Sequence, residues 1–193
     1  MEDNILHFYR RLIFGTNYDI ANPTNIDMIC NCCFIIAWKD MARTYKNEDS
    51  EKRKKLKDEF LKDLIIQVKN QKYEPRKIIL KYANQNKLTL GQSQKVVNMF
   101  FKYLYTFLEN SIVSKEEFEN CDCPIDSIIL EKISMKTNQY KNISFTKQGK
   151  LKYKDKLYVW SKIDNYDLYL ELQELITNIS SGTRLSFDFD EWQ

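Results

Sequence analysis

Glycine and proline are scarce, at four and three residues in a chain of 193. Little material for tight turns is present, so long helices are the economical architecture. Histidine occurs once, as His7, which gives little support to serine–histidine or cysteine–histidine hydrolase chemistry. No apolar run approaches the roughly 20 residues of a membrane-spanning helix. The N-terminus MEDNILHFYRR lacks the basic-then-apolar order of a secretory signal, and a cytoplasmic protein with no membrane partner is expected. The five cysteines, Cys30, Cys32, Cys33, Cys121 and Cys123, are an odd set that suits a reducing compartment. Their Cys-x-Cys-Cys and Cys-x-Cys spacings are not the common Cys-x2-Cys knuckle. Cys30 and Cys33 fall on an apolar helix face, where a thiol behaves as a small hydrophobe, so no metal is expected. The P-loop and dinucleotide glycine patterns are missing as well, and no cofactor is expected.

Hydrophobic residues make up 43% of the chain and charged residues 30%, a globular composition long enough for one compact, monomeric helical domain over 1–193. The net charge of +3 is small, but it is unevenly spread. Residues 141–162 carry Lys141, Lys147, Lys150, Lys152, Lys154, Lys156 and Lys162 against Asp155 alone, while residues 164–193 carry seven acids against Arg184. Two readings follow: a basic surface fit for a polyanion, or two segments that lie together and neutralise each other.

Helix signals dominate up to residue 135. Thr24 or Asn25 caps a helix through MICNCCFIIAWKDMART. Ser50 starts a second, whose Phe60, Leu61, Leu64, Ile65 and Val68 keep helical spacing. Pro75 fits the first turn of a third through RKIILKYAN. In QKVVNMFFKYLYTFL, Val97, Phe100, Phe101, Leu104 and Leu108 form a face wide enough for a central buried helix. Cys123 and Pro124 open another, with Ile125, Ile128, Ile129 and Ile133 turned to the core. Beyond it, NISFTKQGKLKYKDKLYVW alternates around a Gln148-Gly149 turn, which predicts a small antiparallel pair, a basic hairpin-like insertion over 141–162. Asp164 caps a last helix through YDLYLELQELI, and LSFDFDEW alternates as an edge strand. The fold class expected is mostly α with a small antiparallel β element in the C-terminal third.

The region 88–133 carries the chemistry. Leu88-Thr-Leu-Gly91-Gln-Ser-Gln-Lys95-Val-Val-Asn98 reads as an apolar stretch, a glycine turn and a helix start, and Cys123-Pro-Ile-Asp126-Ser follows. A glycine turn before a helix exposes unpaired N–H groups at the positive end of the dipole, a site for phosphate. The same field disfavours a cation at Lys95 and so favours the neutral, nucleophilic amine. A carboxylate at Asp126, in the first turn of its helix, is welcome there. Amine and carboxylate together suit glycosidic bond cleavage, the acid stabilising an oxocarbenium-like sugar while the amine attacks C1′ of a flipped-out nucleotide. Each residue also has an ordinary reading: Lys95 as a solvated helix lysine, Asp126 as a dipole partner, Gly91 as a plain turn.

Gly91-x-x-x-Lys95 followed by Pro124-Ile-Asp126-Ser127 resembles the hairpin and the Pro/Val-Val-Asp-Thr/Val segment of helix-hairpin-helix DNA glycosylases, the endonuclease III-like and 8-oxoguanine enzymes. The likeness covers residues 88–133, about a quarter of the chain. It implies that Lys95 is the Schiff-base nucleophile and Asp126 the assisting carboxylate. It further implies that Gly91, Gln92, Ser93 and Gln94 cradle a phosphate of double-stranded DNA bearing a damaged or modified base. Lys150, Lys152 and Lys154, interleaved with Tyr153, Tyr158 and Trp160, would extend the DNA contact; the aromatics would equally serve to pack the sheet onto the helices. Trp192 is a further aromatic that could line a base pocket. Ser93 stands where the family has its second hairpin glycine, and Lys95 and Asp126 are 31 positions apart, with an insertion containing SKEEFEN between them. The four-cysteine cluster motif is missing, so the cluster-free oxoguanine branch, with its compact archaeal members, is the nearer likeness. The alternative is a non-catalytic helical DNA-binding or protein-interaction module; a phage-defence enzyme excising modified phage bases would share the mechanism and differ in substrate.

Overall fold

The computed structural model describes residues 25–45, 49–85, 88–107, 116–180 and 182–190. Seven α-helices and one small sheet make up this part. Asn25 caps α1 (Ile26–Ala42) through Oδ1, and Asp49 caps α2 (Ser50–Lys69) in the same way. Pro75 is the first residue of α3 (Pro75–Asn84), where its missing N–H costs nothing. Helix α4 (Leu90–Tyr105) is the central one: every residue from Leu90 to Leu104 is buried, and its main neighbours are α1 and α3. Phe60, Leu64 and Val68 of α2 point inward as the spacing predicts, with Leu61 and Ile65 half-buried beside them.

After the 3-10 segment Glu116–Asn120 and an extended stretch come α5 (Ser127–Lys136), then strands β1 (Gln139–Tyr140), β2 (Ile143–Phe145), β3 (Leu151–Tyr153) and β4 (Lys156–Leu157). The strands pair antiparallel in the order β1-β2-β3-β4, so the expected pair is a four-stranded meander. Gly149, at φ 70°, makes the expected turn, with its N–H donating to the Thr146 carbonyl at 2.8 Å. Lys154 and Asp155 link β3 to β4 at φ 44° and 68°, the mirror-image turn that matches strand twist. The 3-10 segment Trp160–Lys162, α6 (Tyr166–Ile179) and α7 (Arg184–Asp190) follow.

Several boundaries differ from the sequence reading. Helix α5 starts at Ser127, not at Pro124; Asp126 is its N-cap, because the backbone at Cys123 and Ile125 is bonded to buried glutamine side chains. Ile125, Ile129 and Ile133 are buried, whereas Ile128 is 55% exposed. Asn165 rather than Asp164 caps α6, accepting from the Leu168 N–H at 3.0 Å. The tail expected as an edge strand is helix α7: Leu185, Phe187 and Asp188 are all buried, and while the Leu185–Phe187 spacing of two suits a strand, the Leu185–Asp188 spacing of three brings both to one side only on a helix. Thr24, His7, Leu108 and Trp192 lie outside the described residues.

Candidate functional site

The start of α4 is closed by local chemistry. Thr89 and Gln92 form a capping box: the Gln92 N–H donates to Thr89 Oγ1 at 3.0 Å, and the Thr89 N–H to Gln92 Oε1 at 3.1 Å. The Gly91 N–H donates to the Ile163 carbonyl and the Ser93 N–H to the Thr89 carbonyl, each at 2.9 Å. Gly91 is therefore the second residue of the helix and not a turn. It is glycine for closeness, since a Cβ there would sit 1.9 Å from the Trp160 carbonyl oxygen. The side chains of Gln92, Ser93 and Gln94 are buried and bonded to the Thr44, Ile79 and Ile125 carbonyls respectively. The expected phosphate cradle at Gly91, Gln92, Ser93 and Gln94 is thus corrected: the amides and side chains it needs are consumed inside the fold.

Lys95 and Asp126 are brought together. Lys95 Nζ donates to Asp126 Oδ2 at 2.6 Å, with the lysine side chain 7% exposed and the carboxylate 21%. The other oxygen, Oδ1, accepts the Ile129 N–H at 2.9 Å. One oxygen is thereby fixed to the positive end of α5 and the other held on the amine.

A second pair lies on the same helix. Lys102, two turns after Lys95, pairs with Asp188 of α7 at 2.7 Å, with side chains 1% and 5% exposed. Burial pushes the Asp188 carboxyl up and the Lys102 ammonium down. Each residue of this pair also feels the charge of Lys95, and Asp188 that of Asp126 as well, so the two pairs influence one another electrostatically. Cys123 lies in the same field, and burial raises its thiol well above the usual range. Lys102 falls seven residues after Lys95 and so on the same side of α4, across the helix from the face of Val97, Phe100, Phe101 and Leu104; spacing alone does not mark it as buried. Asp188 is hidden as well, because the alternation of LSFDFDEW points to a strand.

The stretch 121–126 that carries Asp126 has no regular structure but is nearly all buried. Asp122, fully buried, accepts from Arg76 Nε at 2.7 Å and Nη2 at 2.8 Å and from the Tyr169 hydroxyl at 2.7 Å, and pairs with Arg184 Nε at 2.8 Å. Gln173 clamps Cys123, its Oε1 accepting the N–H at 3.0 Å and its Nε2 donating to the carbonyl at 2.8 Å. Cys30, Cys33, Cys121 and Cys123 are buried in the core, and burial raises Cys30 to about 12.

The basic segment forms the sheet. Lys150 and Lys154 are exposed and Lys152 half-buried. Lys152 pairs with Asp155 at 2.8 Å, and Lys154 lies 5.2 Å over the Tyr153 ring. Tyr153 is buried, while Tyr158 and Trp160 are half-buried against the core, so the packing role expected of the aromatics holds. Neutralisation by the acidic segment is local: Lys141 meets Glu174 at 2.6 Å. The sheet leads into Trp160–Lys162, which packs on the start of α4, where Thr89 Oγ1 donates to the Ser161 carbonyl at 2.6 Å. No helix among the described residues is long and apolar enough to cross a membrane. Compared with protein-family models, curated proteins and solved structures, the chain matches none of them.

Proposed function

We propose that the protein is a DNA base-excision glycosylase with lyase capacity, acting on a damaged or modified base. The observation that carries this reading is the 2.6 Å contact between Lys95 Nζ and Asp126 Oδ2, an amine and a carboxylate in a largely water-excluded setting. In the reaction the Lys95 ammonium first gives up one proton, which ends on the departing base; the Nζ lone pair so freed bonds to C1′ as the C1′–N bond breaks and its electrons leave with the base. Asp126 Oδ2 accepts the proton that the attacking nitrogen sheds, and its negative charge favours the cationic sugar on the way. Opening of the sugar ring then gives an imine with Lys95, the species that supports strand cleavage. With the α4 amides consumed, phosphate contact falls to the lysines of the sheet region, the exposed Lys150 and Lys154 and the half-buried Lys152.

A second reading is a helical DNA-binding or protein-interaction module without chemistry. Its support is Lys102–Asp188, a pair too buried for direct attack, which shows that this helix also keeps lysine–aspartate pairs within its packing. Borohydride trapping on duplexes bearing 8-oxoguanine, uracil, hypoxanthine, an alkylated purine or an abasic site separates the two. The enzyme gives a lesion-dependent covalent adduct that Lys95→Gln abolishes while duplex binding remains. DNA binding with neither adduct nor base release on any duplex sinks the enzyme reading and leaves the module.

A further inference from the structure

Buried irregular backbone must find partners for every N–H and C=O, and in the segment leading to Asp126 two glutamines supply them in peptide-like fashion. Gln94, fully buried, accepts the Ile125 N–H at Oε1 (2.9 Å) and donates from Nε2 to the Ile125 carbonyl (2.6 Å). Gln173 does the same at Cys123 from α6. Asn98, one turn after Gln94, adds a 3.2 Å bond from Nδ2 to the Cys123 carbonyl. The placement matters more than the number of bonds. Gln94 directly precedes Lys95, and Ile125 directly precedes Asp126; the clamp therefore ties the immediate neighbour of the amine to the immediate neighbour of the carboxylate. Successive residues on a helix diverge by about 100°, so one turn of α4 can direct Gln94 at the Ile125 peptide and Lys95 at Asp126. Gln173 then fixes the far end of the segment to a different helix.

We infer that Gln94 and Gln173 are positioning residues that set the Lys95–Asp126 contact. The inference rests on the glycosylase reading for its kinetic consequence but not for its geometry. A misplacement of about 1 Å at a reacting centre costs roughly 100-fold in rate. Gln94→Met, close in size but unable to bond, should lower the single-turnover rate of adduct formation at saturating duplex by roughly that factor. Its duplex Kd should stay within about twofold, because no DNA-contacting group is altered. Gln173→Met, two residues further from Asp126, should lower the rate by a smaller factor and also leave Kd alone. A folded Gln94→Met protein of unchanged rate, or one whose rate and affinity fall in parallel, overturns the inference. Should Gln94→Met fail to fold, Gln173→Met is judged by the same rate and Kd criteria. If the wild type forms no adduct at all, the glycosylase reading fails separately, and the positioning claim is decided by NMR of the Lys95 Cε resonance. Asp126→Asn moves that resonance in the wild-type background; the clamp variants should already have moved it the same way, and an unmoved resonance overturns the claim.

Discussion

Lysine serves two opposite purposes in this molecule. On α4 two lysines sit in the core, each on one aspartate: Lys95 with Asp126 and Lys102 with Asp188. On the sheet, Lys147, Lys150, Lys154 and Lys156 face solvent, and the Lys152–Asp155 pair leaves its carboxylate 94% exposed. Burying an ion pair costs several kcal/mol per ion before the Coulombic return, whereas an exposed pair contributes about 0–1 kcal/mol. The dense run of lysines that dominates the sequence is thus the energetically quiet region. Two isolated lysines inside an apolar helix are where small changes carry large effects.

The sharpest way to break that contrast is to separate Lys102 from its partner. Asp188→Ala should cost about 3–5 kcal/mol in urea denaturation, because the buried Lys102 ammonium loses its Asp188 carboxylate, whereas Lys102→Met with Asp188→Leu should be near neutral or stabilising. The deficit of Asp188→Asn should also depend on pH with a definite sign. Burial lowers the Lys102 pKa from 10.5, and loss of Asp188 removes the first of the influences that raise it. Below 10.5 the unfolded chain then binds more protons than the folded one, so the variant gains stability as pH rises toward that value. A deficit that grows with pH over the same window would show that Lys102 is not the group in play.

A step down in size is the seam between the two regions. Gly91 touches the Trp160 carbonyl so closely that a Cβ would fall 1.9 Å from its oxygen. That oxygen is backbone and cannot rotate away. Gly91→Ala should therefore cost about 1–3 kcal/mol or more through overpacking, read as a fall in Tm. It should also loosen Trp160–Lys162 from the start of α4. A neutral Gly91→Ala would mean that Trp160–Lys162 shifts freely against the start of α4.

These contrasts explain what the sequence made legible. The central helix, the Pro75 start, the Gly149 turn and the joining of Lys95 to Asp126 all rest on local periodicity, special residues or an ordered motif. Local signals of that kind survive folding. The fate of the Gly91 amides does not follow from local pattern, because their acceptor, Ile163, is some seventy positions away in sequence. Gln94 and Gln173 look like ordinary polar residues until the backbone they clamp is in place. Asp188 was hidden by a tail whose alternation points to a strand; only its packing against the Lys102 side of α4 shows the helix.

The smallest effects on stability are expected at the sheet, and there they separate affinity from folding. Lys150→Ala alters an exposed side chain away from any cap or buried pair and should change stability by no more than about 0.5 kcal/mol; Lys154→Ala also gives up the contact over the buried Tyr153 ring, worth about 0.5–1 kcal/mol at an exposed site. If these side chains neutralise DNA phosphates, each substitution should reduce the slope of log Kobs against log salt by about 0.9 in magnitude. Lys152→Ala also frees Asp155, whose carboxyl the Lys152 ammonium holds below its ordinary value through a hydrogen bond, so it leaves an exposed negative charge without its partner and should weaken binding somewhat more than its neighbours. The measurement is a salt titration of duplex binding for the three variants beside Lys95→Gln. Reduced slopes in the sheet variants with an unchanged slope in Lys95→Gln would assign binding to the sheet and chemistry to the core. Unchanged slopes in all four would take the DNA backbone off the sheet, leaving its lysines to keep the surface solvated.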